Sequence, residues 1–109
     1  MQQPNKIFAQ IEEQIKTYPV LLYMKGTPRR PMCGFSARVV QALEDCDVQF
    51  ASVDVLNNPE IRANLPLYAN WPTFPQLYVK GELIGGCDIV LEMHEKGELQ
   101  PLLESAHQA

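Results

Sequence analysis

The chain has too few cysteines, too irregularly spaced, for a disulfide framework. Cys33, Cys46 and Cys87 are an odd number, and no Cys-x-x-Cys pair exists to hold zinc or act as a dithiol. Any cysteine chemistry must start from a single thiol. Long apolar runs are missing too: the longest, Val20 to Met24, falls far short of the roughly 20 residues a membrane helix needs, so no membrane contact is expected. Positive charge is not in surplus either. Nine Lys and Arg face thirteen Asp and Glu, a net charge of -4, which argues against a nucleic-acid binder. The two histidines, His94 and His107, have no metal-ligand spacing and read as surface residues. The first residues show neither an apolar signal core nor an Arg-rich transit segment, and a cytoplasmic protein is the expectation. No repeat, linker or low-complexity segment interrupts the 109 residues, a length that suits one domain.

What is present alternates between helical and strand patterns. Ile7, Phe8, Ile11 and Ile15 recur at helical spacing behind Asn5 as candidate cap, and Pro19 closes that helix. Val20 to Met24 is a short continuous apolar run suited to a strand buried on both faces. Gly26 to Met32 reads as a loop. Phe35, Val39, Val40 and Leu43 mark a second helix from near Cys33 to near Asp45, and Phe50 to Val55 reads as a parallel second strand. Asn57-Asn58-Pro59 opens a third helix carrying Ile61, Leu65 and Tyr68. Gln76–Val79 and Glu82–Gly85 form a hairpin around Lys80-Gly81. A last helical region follows, with Asp88 as its cap and a break near Gly97.

Cys33 stands where the first strand hands over to the second helix. Free backbone N–H groups and the positive end of a helix dipole there favour thiolate over thiol. Small buried packing residue is the ordinary role of a free cysteine, but Gly34, leaving the sulfur uncrowded, and Pro31 ahead of the turn favour chemistry. Lys25, at the strand end, either adds positive charge nearby or is simply solvated. Cys46 reads as structural, because Asp45 and Asp47 on either side oppose its thiolate. In Trp71-Pro72-Thr73-Phe74-Pro75, the two prolines are compatible with a cis bond at Pro75. The Phe74 backbone would then face outward, free to pair with an extended peptide; a rigid loop around a packed tryptophan is the alternative. Gly85-Gly86-Cys87-Asp88 enters the last helix, whose N–H groups suit a carboxylate. Cys87 there is a packing residue or a second thiol. Arg62 reads as part of a solvated face, and Arg29-Arg30 as a steering pair for an anionic ligand or partner.

Taken in order, Met24-Lys25-Gly26, Pro31-Met32-Cys33-Gly34-Phe35-Ser36, Trp71-Pro72-Thr73-Phe74-Pro75-Gln76-Leu77 and Gly85-Gly86-Cys87-Asp88 resemble the monothiol glutaredoxins with a Cys-Gly-Phe-Ser active site. The likeness covers nearly the whole chain and resembles the single-domain class, so that 1–109 would be one glutaredoxin domain. It implies an α/β thioredoxin fold, a four-stranded mixed sheet flanked by helices. It implies glutathione bound beside Cys33. Lys25 and Arg62 would hold the glycine carboxylate and the Phe74 backbone would pair with the cysteinyl unit. Thr73 and a cis Pro75 would belong to the same site, and Cys87 and Asp88 would hold the γ-glutamyl end. The family's 2Fe-2S cluster, shared by a homodimer, would take Cys33 as its metal ligand together with glutathione thiols. Apoprotein clients and a BolA-like protein are the partners implied.

Two functions follow as expectations. The first is a carrier that transfers the cluster to apoproteins. The second is a monothiol oxidoreductase, in which Cys33 attacks a glutathionylated substrate and a second glutathione regenerates it. Ser36, where dithiol relatives have a second cysteine, cannot resolve a disulfide.

Overall fold

The computed structural model describes residues 4–107. In chain order the elements are α1 (Pro4–Thr17), β1 (Val20–Met24), β2 (Gly26–Thr27), β3 (Arg30–Pro31), α2 (Gly34–Asp45), β4 (Ala51–Asp54), α3 (Pro59–Ala69), β5 (Gln76–Val79), β6 (Glu82–Gly85), α4 (Cys87–Glu95) and α5 (Leu99–Ala106). Strand β1 lies inside a four-stranded sheet of order β4-β1-β5-β6, parallel to β4 and antiparallel to β5, which pairs antiparallel with β6. This is the mixed sheet of a thioredoxin fold.

The period of two in β1 explains its unbroken apolar run. Val20, Leu22 and Met24 pack with Val39, Val40 and Leu43 of α2, Val90 of α4, and Leu99 and Leu103 of α5. Leu21 and Tyr23 point the other way, toward Ile7, Ile11 and Ile15 of α1 and Ile61 and Leu65 of α3. A strand covered on both faces has no side to leave polar. Lys80 and Gly81, both at positive φ, make the two-residue turn expected of a right-twisted hairpin.

Four local expectations are corrected. Helix α1 already runs through Asn5, because Pro4, with its φ preset and no N–H to leave unpaired, suits the first helical position. The stretch from Gly26 to Met32 holds the small ribbon β2–β3, where Gly26 pairs with Pro31 and Thr27 with Arg30. The second strand is shorter than expected: Asp54 accepts a hydrogen bond from the Leu56 N–H and turns Val55–Asn57 into a 3-10 turn. Asp88 is not the cap of α4. Gly85, at φ +148, bends the chain early, so Gly86 caps the helix and Asp88 sits in its first turn.

Candidate functional site

The end of β1, the approach to β5 and the starts of α2 and α4 converge at one end of the sheet. A cavity of about 770 Å³ opens there, and Lys25, Cys33, Arg62, Thr73, Phe74, Cys87 and Asp88 all line it. Pro75 lies buried behind them, and the Phe74–Pro75 peptide is cis.

Cys33 is the N-cap of α2, with extended backbone. A cap side chain faces the N–H groups two and three residues on, here Phe35 and Ser36. The neutral thiol forms no cap hydrogen bond. Once ionised it is held below the ordinary cysteine range, first by the Ser36 N–H, then, against an opposing contribution from partial burial, by the Phe35 N–H, the Lys25 charge and the Ser36 hydroxyl. The other thiols move the opposite way. Burial, helped by Asp88 and partly offset by Arg38, pushes Cys87 up. Burial also raises Cys46, with Asp45 and Glu104 adding to it. The flanking carboxylates are thus the lesser cause at Cys46, and Glu104, remote in sequence, acts where Asp47 was expected. Cys46 Sγ lies 3.9 Å from His94 Nδ1, whose ring reaches Asp45 through Nε2 at 3.5 Å, so His94 is not a bare surface residue.

Several side chains that sequence reasoning passed over place these groups. Fully buried Ser36 accepts a hydrogen bond from the Lys25 N–H at 3.2 Å, tying the end of β1 to the first turn of α2. Asp54 accepts one from the Gly26 N–H at 2.9 Å, tying the same strand end to β4. Gln76, also fully buried, donates through Nε2 to the carbonyls of Trp71 and Thr73 and accepts from the Tyr78 hydroxyl. It pins the loop that presents Phe74. The β1–β5 ladder begins at Tyr23 and Gln76, and among the described residues the Phe74 backbone groups take no protein partner. The cap rule would have singled out Ser36, three residues past Cys33. Nothing in the sequence marks Gln76 apart from other strand residues.

The floor of the opening has room and a spare donor. Trp71 Nε1 is buried and meets no acceptor among the described residues. A Cβ on Gly86 would stand 3.2 Å from the Pro75 carbonyl oxygen and 3.5 Å from Trp71 Nε1, so glycine keeps this corner clear. The opening therefore combines a thiol drawn toward thiolate, the unpaired backbone of Phe74, helix N-terminal N–H groups, and the cations Lys25 and Arg62. That set suits a small peptide with carboxylates at its ends and a thiol in its middle.

Comparison with known proteins agrees. The glutaredoxin family profile matches residues 20–84. Glutaredoxin 4 of Escherichia coli is 65% identical over 94 residues, covering 86% of this chain and 82% of its own length. The solution structure of reduced poplar apo GrxS14 is similar with a TM-score of 0.76 and 46% identity, covering 90% of both chains. A glutaredoxin of Populus tremula x tremuloides, crystallised in its holo form, gives a TM-score of 0.86 at 27% identity, covering 97% of this chain and 94% of its own. With a single thiol in the Cys33-Gly34-Phe35-Ser36 block and this likeness over most of its length, the chain belongs to the glutaredoxin family, in its monothiol class.

Proposed function

We propose that the chain is a glutathione-dependent carrier that holds a 2Fe-2S cluster between two copies and hands it to apoprotein clients in the cytoplasm. The observation that carries this reading is the contrast among thiols: of three, only Cys33 is drawn toward thiolate, and it opens on the cavity. A cluster of this type takes four thiolates. One suitable cysteine per chain leaves the count short, and one glutathione per chain completes it in a homodimer. A BolA-like protein replacing one copy would use the same face.

Each lining residue has a part in this scheme. Lys25 and Arg62 meet the glycine carboxylate of glutathione as a pair of cations. The free Phe74 backbone, presented by the loop that Thr73 and cis Pro75 shape, pairs with the cysteinyl unit as an added strand residue. The N–H groups of Cys87 and Asp88, in the first turn of α4, take the γ-glutamyl carboxylate, and the Asp88 carboxylate takes its ammonium group. Trp71 Nε1 offers a further donor. Held this way, the glutathione sulfur lies beside Cys33, so the cluster meets two thiolates on each side.

The lowered Cys33 thiol also favours a second reading, deglutathionylation. The Cys33 thiolate attacks the glutathione sulfur of a mixed disulfide, the client thiolate leaves and takes a proton, and a second glutathione thiolate releases oxidised glutathione and restores Cys33. Anaerobic reconstitution with iron, sulfide and glutathione separates the readings. A carrier gains visible charge-transfer absorption that is lost in Cys33→Ser and without glutathione. A colourless sample that still turns over glutathionylated peptide supports the oxidoreductase alone.

A further inference from the structure

The cavity uses Lys25 and Arg62 but leaves three neighbouring arginines outside it. Arg29 and Arg30 lie at and beside the turn of the β2–β3 ribbon, three to four residues before Cys33. Arg38 is one turn into α2, near enough to Cys87 to pull on its thiol. All three are exposed, and none makes a salt bridge among the described residues, whose ion pairs are Lys16–Glu12, His94–Asp45 and Lys96–Glu92. Between them the surface turns apolar: Met32 is 65% exposed and Phe35 55%.

Among the described residues no carboxylate pairs with these arginines. Asp88 stands at the rim, and the oxygens of Asp54 are engaged by Gly26, Leu56 and Asn57. A chain of net charge -4 thus places three of its four arginines on the ribbon and the helix that flank Cys33. Arginine, methionine and aromatic side chains are the residue types enriched at protein interfaces.

We infer that this face docks an acidic protein surface, so that the client receiving the cluster presents a carboxylate patch to Arg29, Arg30 and Arg38 and seats an apolar side chain on Met32 and Phe35. This rests on the carrier reading and adds the client's chemistry to it. The local cations offset the repulsion that the chain's net charge would exert on an acidic client and orient it with Cys33 facing inward. Exposed Met32 and Phe35 between the arginines suit a protein surface rather than a phosphate backbone, and with no cluster to bridge them a second copy docking face to face would set arginines against arginines.

The test uses the cluster-loaded chain and an acidic plant-type apoferredoxin as probe, with transfer followed by circular dichroism. At low salt the variant Arg29→Ser/Arg30→Ser/Arg38→Gln should transfer about ten-fold more slowly than the parent, with cluster loading unchanged. Raising salt from about 20 to 300 mM should slow the parent alone. Equal rates at low salt, or an equal loss with a basic acceptor, would overturn the inference. If the chain proves unable to carry a cluster, the docking is read separately by titrating the 15N-labelled apo chain with the apoferredoxin. Salt-sensitive shifts confined to residues 29–38 support the face; their absence, a preference for polyuridylate, or self-association at low salt refutes it.

Discussion

At the scale of single residues, function turns on how one thiol differs from two others. Cys33 owes its lowered pKa mostly to backbone N–H groups, and those donors exist only where the helix begins. The direction has a kinetic consequence: thiolate is the reactive form, so alkylation by iodoacetamide should follow Cys33 ionisation, with a midpoint below that of an ordinary cysteine. At neutral pH Cys33 should be modified first, ahead of Cys46 and Cys87, whose thiols are raised. Lys25→Gln removes a stabilising charge and should move the Cys33 midpoint up, with a smaller shift at high salt; mass spectrometry of peptides alkylated across a pH series reads both effects. The sign also applies to stability. A depressed folded-state pKa adds stability above the unfolded cysteine value, and that contribution fades as pH falls through the folded value. For cluster content, Cys33→Ser should abolish binding while Cys46→Ser keeps it; comparable iron content in the two would contradict the assignment.

At the scale of elements, the site depends on turns that join strand ends to helix starts. Gly26 sits at φ +92, and a Cβ there would fall 2.5 Å from the Arg30 carbonyl oxygen and 2.7 Å from the Met32 nitrogen. Both are backbone atoms of the ribbon that leads into Cys33. Gly26→Ala should therefore cost about 1–3 kcal/mol in urea unfolding and lower cluster loading. Gly34 differs: a Cβ there meets no heavy atom within 4 Å, so Gly34→Ala should leave stability within about 0.5 kcal/mol of the parent. Any loss of cluster loading in that variant would then report on what the bound state brings against Gly34. Gln76→Leu tests the other wall. It strips the Trp71 and Thr73 carbonyls of their donor and should cost about 1–3 kcal/mol, with weaker glutathione binding by calorimetry.

At the scale of the whole molecule, one suitable cysteine per chain leaves a four-thiolate cluster short of ligands. The cluster-loaded form should be a dimer and the apo form mainly a monomer, because thiolate ligation is the bond between the copies and little protein surface need be buried with it. Sedimentation before and after chelation tests this, and a stable apo dimer or a cluster-loaded monomer would refute it. Charge is also distributed at this scale. Arg29, Arg30 and Arg38 lie on the ribbon and helix that flank Cys33, whereas Glu92, Glu95, Glu98 and Glu104 occupy α4, α5 and the turn between them.

The sequence by itself determined the order of the main helices and of the four sheet strands, because periods of two and of about four residues are local properties. Val20 to Met24, between Pro19 and Gly26, suits a strand covered on both faces, and Ile7, Ile11 and Ile15 fall on one stripe of a helix. It also singled out Cys33 at a helix start and the prolines around Thr73 and Phe74. The cap of α4 lies two residues before Asp88, a good cap by type, because the start of the helix depends on the bend at Gly85. Tertiary structure alone decided which groups meet. Lys25 and Arg62 lie 37 positions apart in the chain and share a cavity only because the fold brings the first turn of α3 to the same opening as the end of β1. Ser36 with Lys25 and Asp54 with Gly26 are likewise contacts between separate segments, and the Arg38 charge reaches Cys87 across elements. Periodicity tells each element which face to bury. Which polar ends then lie together is set by how the helices pack on the sheet, and no local pattern encodes that.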